Sequence, residues 1–196
     1  GGDGEFRATA QVERASLKFV ADWPSAEDLS GTVEFVNASF AAAGAGRLLG
    51  NRSENLRVGI ADLRTGELTL TADTVGPLPD VLAFLNGAPL ISRYLGAEFA
   101  RLEAPQGTGA VSLDLFLPLR DRDSYTLTAD LDITDGELLF RGFEPHATEI
   151  NGSMRLAGGE LRGEGIRAIF LDGPVTVGVA PAGVPGFRAR LDLDGE

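Results

Sequence analysis

Few residues in this 196-residue chain could carry bond-making chemistry, and each stands in a pattern with a plainer reading. His146 is the single histidine, so a multi-histidine metal site is excluded. A hydrolase would need it beside a serine and an acid, but the chain has no Gly-x-Ser-x-Gly elbow. It follows Pro145, which places it in a connection. Acids cluster at Asp130, Asp132, Asp135 and Glu137. A calcium loop of the EF-hand type needs a third ligand at its fifth position and a glutamate at its twelfth, and this run supplies neither. Leu131 and Ile133, set between the acids, read instead as the dry face of a strand whose acids point to water. Gly44-Ala-Gly46-Arg-Leu-Leu-Gly50 lacks both the dinucleotide-binding spacing and a Walker lysine, and a turn accounts for it. The triplets at Asn37, Asn51 and Asn151 match the glycosylation pattern, which recurs by chance. Trp23, the one tryptophan, is expected to pack at a connection beside Pro24.

Composition narrows the function further. The chain has no cysteine, so disulfides, thiolate metal sites and cysteine nucleophiles are excluded. The formal net charge of −12 repels phosphate backbones and argues against nucleic acid as a partner. It also disfavours docking on anionic headgroups, so contact with lipid would run through acyl chains. At 43% hydrophobic residues the chain can build a core. No stretch approaches the length of a membrane span, and no signal peptide is visible. The opening Gly1-Gly2-Asp3-Gly4 and the closing Leu193-Asp194-Gly195-Glu196 read as cuts through a longer protein. Nothing calls for a cofactor or a metal.

The elements that would position any site are strands. Apolar residues alternate with polar ones at Phe6, Ala8, Ala10 and Val12, at Leu56, Val58 and Ile60, and at Val111, Leu113, Leu115 and Leu117. The same holds for Tyr125, Leu127, Ala129, Leu131 and Ile133, for Val175, Val177 and Val179, and for Phe187, Ala189, Leu191 and Leu193. This period of two predicts antiparallel strands with one dry face and one wet face. Expected turns fall at Asn51-Arg-Ser, Thr65-Gly66, Asp135-Gly136, Gly158-Gly159 and Asp172-Gly173-Pro174. One segment differs. Asp80 suits a first helical turn, Val81, Leu82 and Leu85 share a face, and Asn86-Gly87 ends the helix. A second short helix is expected from Pro89 to Leu95. This pair plugs a core or caps the end of an apolar groove.

Residues 6–41 align without a gap on residues 127–162, at an offset of 121. Ala8 falls on Ala129, Phe19 on Phe140, Pro24 on Pro145 and Gly31 on Gly152, and strand parity never slips. Preserved parity keeps the same face apolar in both copies. The unit reads strand, turn, strand, a proline-containing connection, strand, turn, strand, and stacked units of this kind form an extended array.

Three runs carry a family resemblance. Trp23-Pro24-Ser-Ala-Glu-Asp-Leu29-Ser-Gly31-Thr-Val33-Glu-Phe35 resembles the "WP…L.G.v.F" element of the YhdP proteins, which belong to the AsmA-like group that includes TamB. Gly76-Pro77-Leu-Pro-Asp80-Val-Leu-Ala-Phe84-Leu85-Asn-Gly-Ala-Pro89-Leu90 is similar to that family's "GPL.D.L.FL..sPL" element. Ile150-Asn-Gly152-Ser-Met154 and Phe170-Leu-Asp-Gly173-Pro174-Val are similar to its later "i.G.l" and "lGGP" elements. The resemblance implies a periplasmic protein of the bacterial envelope, anchored in the inner membrane. It implies a sheet curled lengthwise into a trough that carries phospholipid between the inner and outer membranes and supports the outer-membrane barrier. It assigns no catalytic residues.

The expected fold is therefore all-β: an antiparallel, repeat-built, curved sheet forming an open trough or groove, with a short helical insertion near 79–95. The expected division is a first β unit at 5–76, the helical insertion at 77–96 and a second β unit at 97–196, in one continuous β structure. Strand parity assigns Val33, Phe35, Leu56, Val58, Leu68, Leu70, Leu113, Leu115, Leu127, Leu131, Met154, Val175 and Val177 to the lipid-facing side. Expected partners are phospholipid acyl chains, neighbouring β repeats of the same parent chain, and proteins of the two membranes. No enzymatic activity is expected. Alternation alone also fits a structural or adaptor β-sandwich with a closed core, and a hydrolase would require a cleft joining His146 to a serine and an aspartate.

Overall fold

The alternating runs form strands, and each strand pairs with the next in sequence. The computed structural model describes residues 4–18, 25–48, 51–87, 102–121, 124–140, 146–182 and 187–193. The elements are β1 (Arg7–Leu17), β2 (Ala26–Val36), β3 (Ser39–Leu48), β4 (Asn51–Ile60), β5 (Glu67–Pro77), α1 (Leu78–Gly87), β6 (Leu102–Pro118), β7 (Thr126–Phe140), β8 (Ala147–Ala157), β9 (Glu160–Phe170), β10 (Gly173–Pro181) and β11 (Phe187–Leu193). They make one 11-stranded sheet in the order β1 to β11, antiparallel throughout. Among the described residues β1 and β11 do not pair with each other, so the sheet stays open. The second short helix expected from Pro89 to Leu95, and Trp23, lie outside the described residues.

Register carries the apolar side chains into continuous rows. Ala10, Val33, Ala42, Val58, Leu70, Leu115 and Leu127 stand opposite one another across seven strands. Among the described residues no second sheet covers this row, yet Leu115 is only 2% exposed. A flat sheet would leave such a side chain open to solvent on one side. The sheet therefore curls around its own apolar face, and that face is concave.

The sequence repeat is visible as repeated irregularities. Pairing between β1 and β2 shifts at Val12, Ala15 and Leu17, and pairing between β7 and β8 shifts at Ile133, Gly136 and Leu138, each 121 residues on. Arg14 has φ 51° and its counterpart Asp135 has φ 49°, and Asp28 and Glu149 match in the same way at 51° and 52°. The Arg14 N–H donates to Ser30 Oγ (3.4 Å), and the Asp135 N–H donates to Asn151 Oδ1 (3.1 Å). These are β-bulges: an extra residue bends the strand, and a side chain on the facing strand satisfies the displaced amide. Because the ladder resumes past the bulge, Asp135-Gly136 is no turn. The unit opens with one long bent strand in place of the expected strand, turn, strand. Two other expected turns are also strand. Asn51-Arg-Ser begins β4, with Asn51 and Ser53 buried, and Gly44–Leu48 completes β3. Thr65-Gly66, Gly158-Gly159 and the Leu171-Asp172 step do reverse the chain.

Helix α1 follows β5 directly. Pro79 stands in the first turn, where no intrahelical N–H is lost, and Asp80 lies near the positive helix end. Leu78, Val81, Leu82, Phe84 and Leu85 are buried, the spacing of one helical face. They pack on β5 and β6. A Cβ on Gly109 would lie 3.2 Å from Cβ and both γ carbons of Val81. Gly109 shares the face of Val111, Leu113 and Leu115, so the helix lies on the concave apolar side. Each of its buried large side chains contributes roughly 1.5–3 kcal/mol as an upper estimate.

Candidate functional site

The candidate site is the concave face. All thirteen residues that parity assigned to the dry side lie on it, linked strand to strand by register. A bulge in β9 between Gly163 and Ile166 absorbs one residue, so Val177 and Val175 stay in phase with Met154 and Leu131. The thirteen differ in burial. Leu56, Val58, Leu70, Leu113, Leu115, Leu127, Leu131 and Val175 are buried. Val33, Leu68, Met154 and Val177 are half-buried, and Phe35 is 39% exposed.

The face is thus graded. From β4 to β10 its leucines and valines interlock with one another and with α1 in a single cluster. From β1 to β3 the same face opens. There the rings of Phe35 and Phe40 lie with centroids 5.2 Å apart. A pocket of about 260 Å³ runs over Val12, Leu29, Val33, Phe40, Ala42 and Leu56. Gly31 and Gly44 face each other across β2 and β3 in its wall. Sequence reasoning named Val33 and Leu56 but missed Val12, Leu29, Phe40 and Ala42. Val12 and Ala42 have the right parity, and that signal could have found them.

One polar step interrupts the apolar face near α1. Ser53 and Thr74 are opposite each other and buried, with Thr74 Oγ1 donating to Ser53 Oγ at 3.2 Å. Ser53 Oγ in turn donates to the Asp73 carbonyl at 3.4 Å. Two small hydroxyls satisfied in this way sit in an apolar surface at little cost.

The convex face carries the charge. Asp73 accepts from Asn55 Nδ2 (3.0 Å) and Ser112 Oγ (2.8 Å), and these two hydrogen bonds hold its carboxyl below the usual aspartate range. The acids of the Asp130–Glu137 run are spread along β7 and meet β8. Asp130 takes Arg155 at 2.9 Å, Asp132 accepts the Ser153 hydroxyl, and Asp135 lies beside Asn151. Among the described residues no group of three or more His, Cys, Asp or Glu could hold a metal ion. His146 is exposed, with Nδ1 3.3 Å from Glu137 Oε1.

At one rim the turns are tied together. The Leu63 N–H donates to the Ala38 carbonyl (2.7 Å), and the Leu119 N–H donates to the Gly66 carbonyl (2.8 Å). Arg64 grips Asp62, whose carboxyl is held low first by that side-chain hydrogen bond. Among the described residues no helix is long and apolar enough to cross a membrane.

A family model described as YhdP protein matches residues 1–196. No curated protein and no solved structure matches the chain.

Proposed function

The chain belongs to the YhdP family, an AsmA-like group of the bacterial envelope, and from that premise we propose that its concave face conducts phospholipid acyl chains between the inner and outer membranes. The observation that carries the reading is the unbroken apolar row across seven strands of an open sheet. Acyl chains gain about 0.8 kcal/mol per methylene on leaving water. The attraction is non-directional, so a chain slides from one strand to the next without losing a specific partner. Headgroups stay at the open side, in water. The convex face, with its ion pairs and acids, keeps the outside wet. No bond is made or broken, and the protein is a conduit in the periplasm, part of a longer chain held in the inner membrane. Proteins of either membrane would load and unload it.

The test is site-specific photo-crosslinking in bacterial cells that produce the full-length protein. Ala42 and Ala41 are neighbours of opposite parity, one half-buried in the pocket wall and one exposed on the convex face. A photoreactive residue at Ala42 should form phospholipid adducts, and one at Ala41 should not. Adducts with protein alone at Ala42, or equal lipid labelling at both, would defeat conduction. The deep burial of Leu115, Leu127, Leu131 and Val175 favours a second reading, a structural domain whose face is a closed core, and protein-only adducts would establish it.

A further inference from the structure

Helix α1 sits where the open section of the concave face meets the packed one. Leu56 and Val58 form the β4 wall of the pocket, and they belong to the same cluster as Leu78, Val81, Leu82, Phe84 and Leu85 of the helix. The floor beneath α1 is hollowed. Gly76 and Gly109 stand opposite each other on β5 and β6, and Val81 lies 3.2 Å from where a Cβ on Gly109 would stand.

The helix is held in a way that lets it leave. The residues it buries are all apolar, so its hold is non-directional. Pro79, Ala83 and Asn86 are exposed, so the helix has a free outer side. Its start is tethered, because β5 stays paired with β6 through Pro77–Thr108 and the helix begins at the next residue. Ten residues are fewer than the ~12–15 that a helix needs to persist alone in water, so α1 is ordered by its seat.

Lifting α1 into water would expose both its apolar side chains and the floor, which keeps it down while the seat has no other occupant. An acyl chain on the floor removes the floor's share of that penalty with contacts of the same kind. An extended peptide would instead bring unpaired backbone amides onto an apolar surface. We propose that α1 is a displaceable gate on the concave face: an acyl chain reaching β4 from the open section takes the helix's seat on β5 and β6, and the helix lifts about the Pro77–Leu78 junction. The proposal rests on the concave face taking acyl chains. It adds that passage from the open section to the packed one requires α1 to move.

The probe is a lysophosphatidylethanolamine with one palmitoyl chain, held below its micelle concentration and titrated into the full chain. Amide hydrogen exchange should show α1 losing protection at least tenfold as the lysolipid saturates, while β8–β9 amides hold theirs. Val81→Cys with Gly109→Cys supplies a lock. The two Cβ positions lie 3.2 Å apart, near the ~3.8 Å of an ordinary disulfide, and the chain has no cysteine of its own. Oxidised, this variant should keep its α1 protection and bind the lysolipid at least fivefold more weakly than the same protein reduced. Leu85→Ala removes one anchor and leaves the floor intact. It should tighten binding about two- to fivefold, because a helix that lifts more readily subtracts less from the ligand's affinity. Protection of α1 that holds or rises with lysolipid bound would overturn the proposal, as would equal affinity of the oxidised and reduced lock. A photoreactive residue at Ala42 separates the gate from the groove. Lysolipid adducts there with α1 undisturbed would remove the gate and leave acyl contact standing, whereas neither adducts nor binding would remove both.

Discussion

Replacing Leu115 by alanine tests the graded character of the concave face most directly. Leu115 is 2% exposed, sixth in the seven-strand row and flanked by Leu70 and Leu127. The substitution removes about three methylene equivalents, worth about 2.4 kcal/mol at ~0.8 kcal/mol each. The neighbours are held by their own ladders and collapse only partly, so a cavity term brings the loss to about 3–4 kcal/mol. Phe35→Ala is the contrast. That ring is 39% exposed and touches Phe40 on one side, so its loss should be about 1 kcal/mol. Urea unfolding followed by circular dichroism gives both values, with an unchanged slope confirming that the unfolding reaction is the same. A loss under about 1 kcal/mol for Leu115→Ala, or one no greater than that for Phe35→Ala, would refute the claim that the face is packed from β4 onward and open before it.

Gly109→Val should push Val81 away and unseat α1, costing about 1–3 kcal/mol, and the exchange protection of helix amides should fall more than that of β8–β9 amides. Arg14→Gly should stabilise the chain by about 0.5–1 kcal/mol in thermal unfolding, because glycine takes the left-handed conformation at Arg14 without a Cβ penalty. Asp73 has a depressed carboxyl, so its hydrogen bonds stabilise the fold above the ordinary aspartate range and are lost as pH falls through the lowered value. In Asn55→Gly, which keeps the positive φ at that position and removes the larger of the two hydrogen bonds, the Asp73 carboxyl signal in a pH titration by NMR should move upward.

Parity was enough to place side chains on a face, because a strand's period of two admits only two answers and the repeat copied one of them. It brought Val33 and Val177 to the same side although seven strands lie between them. The helix was equally readable from Asp80, Asn86 and Gly87, since its signals are local. Burial was not readable. Phe35 and Leu115 have the same parity, but one is open and the other enclosed, and the difference arises from how far the sheet has curled at each point. The bulges were hidden because Arg14 is a poor predictor of a left-handed backbone, and Asp135-Gly136 imitates a turn. Asn51-Arg-Ser imitates one too, yet Asn51 and Ser53 are buried polar positions within β4.

Strand order that simply follows the sequence has a consequence for how such a protein is made. Every strand adds to the exposed edge left by the one before it, so no segment must wait for a distant partner and no loop is threaded. Contacts stay short in sequence, which favours fast folding for an all-β chain and lets the sheet grow as residues emerge from an unfolded state. It also makes length a modular quantity. Strands stand about 4.8 Å apart, so each six-strand period adds about 29 Å of reach without a new topology. A gene could lengthen its product by duplication, and the older strands would need no rearrangement.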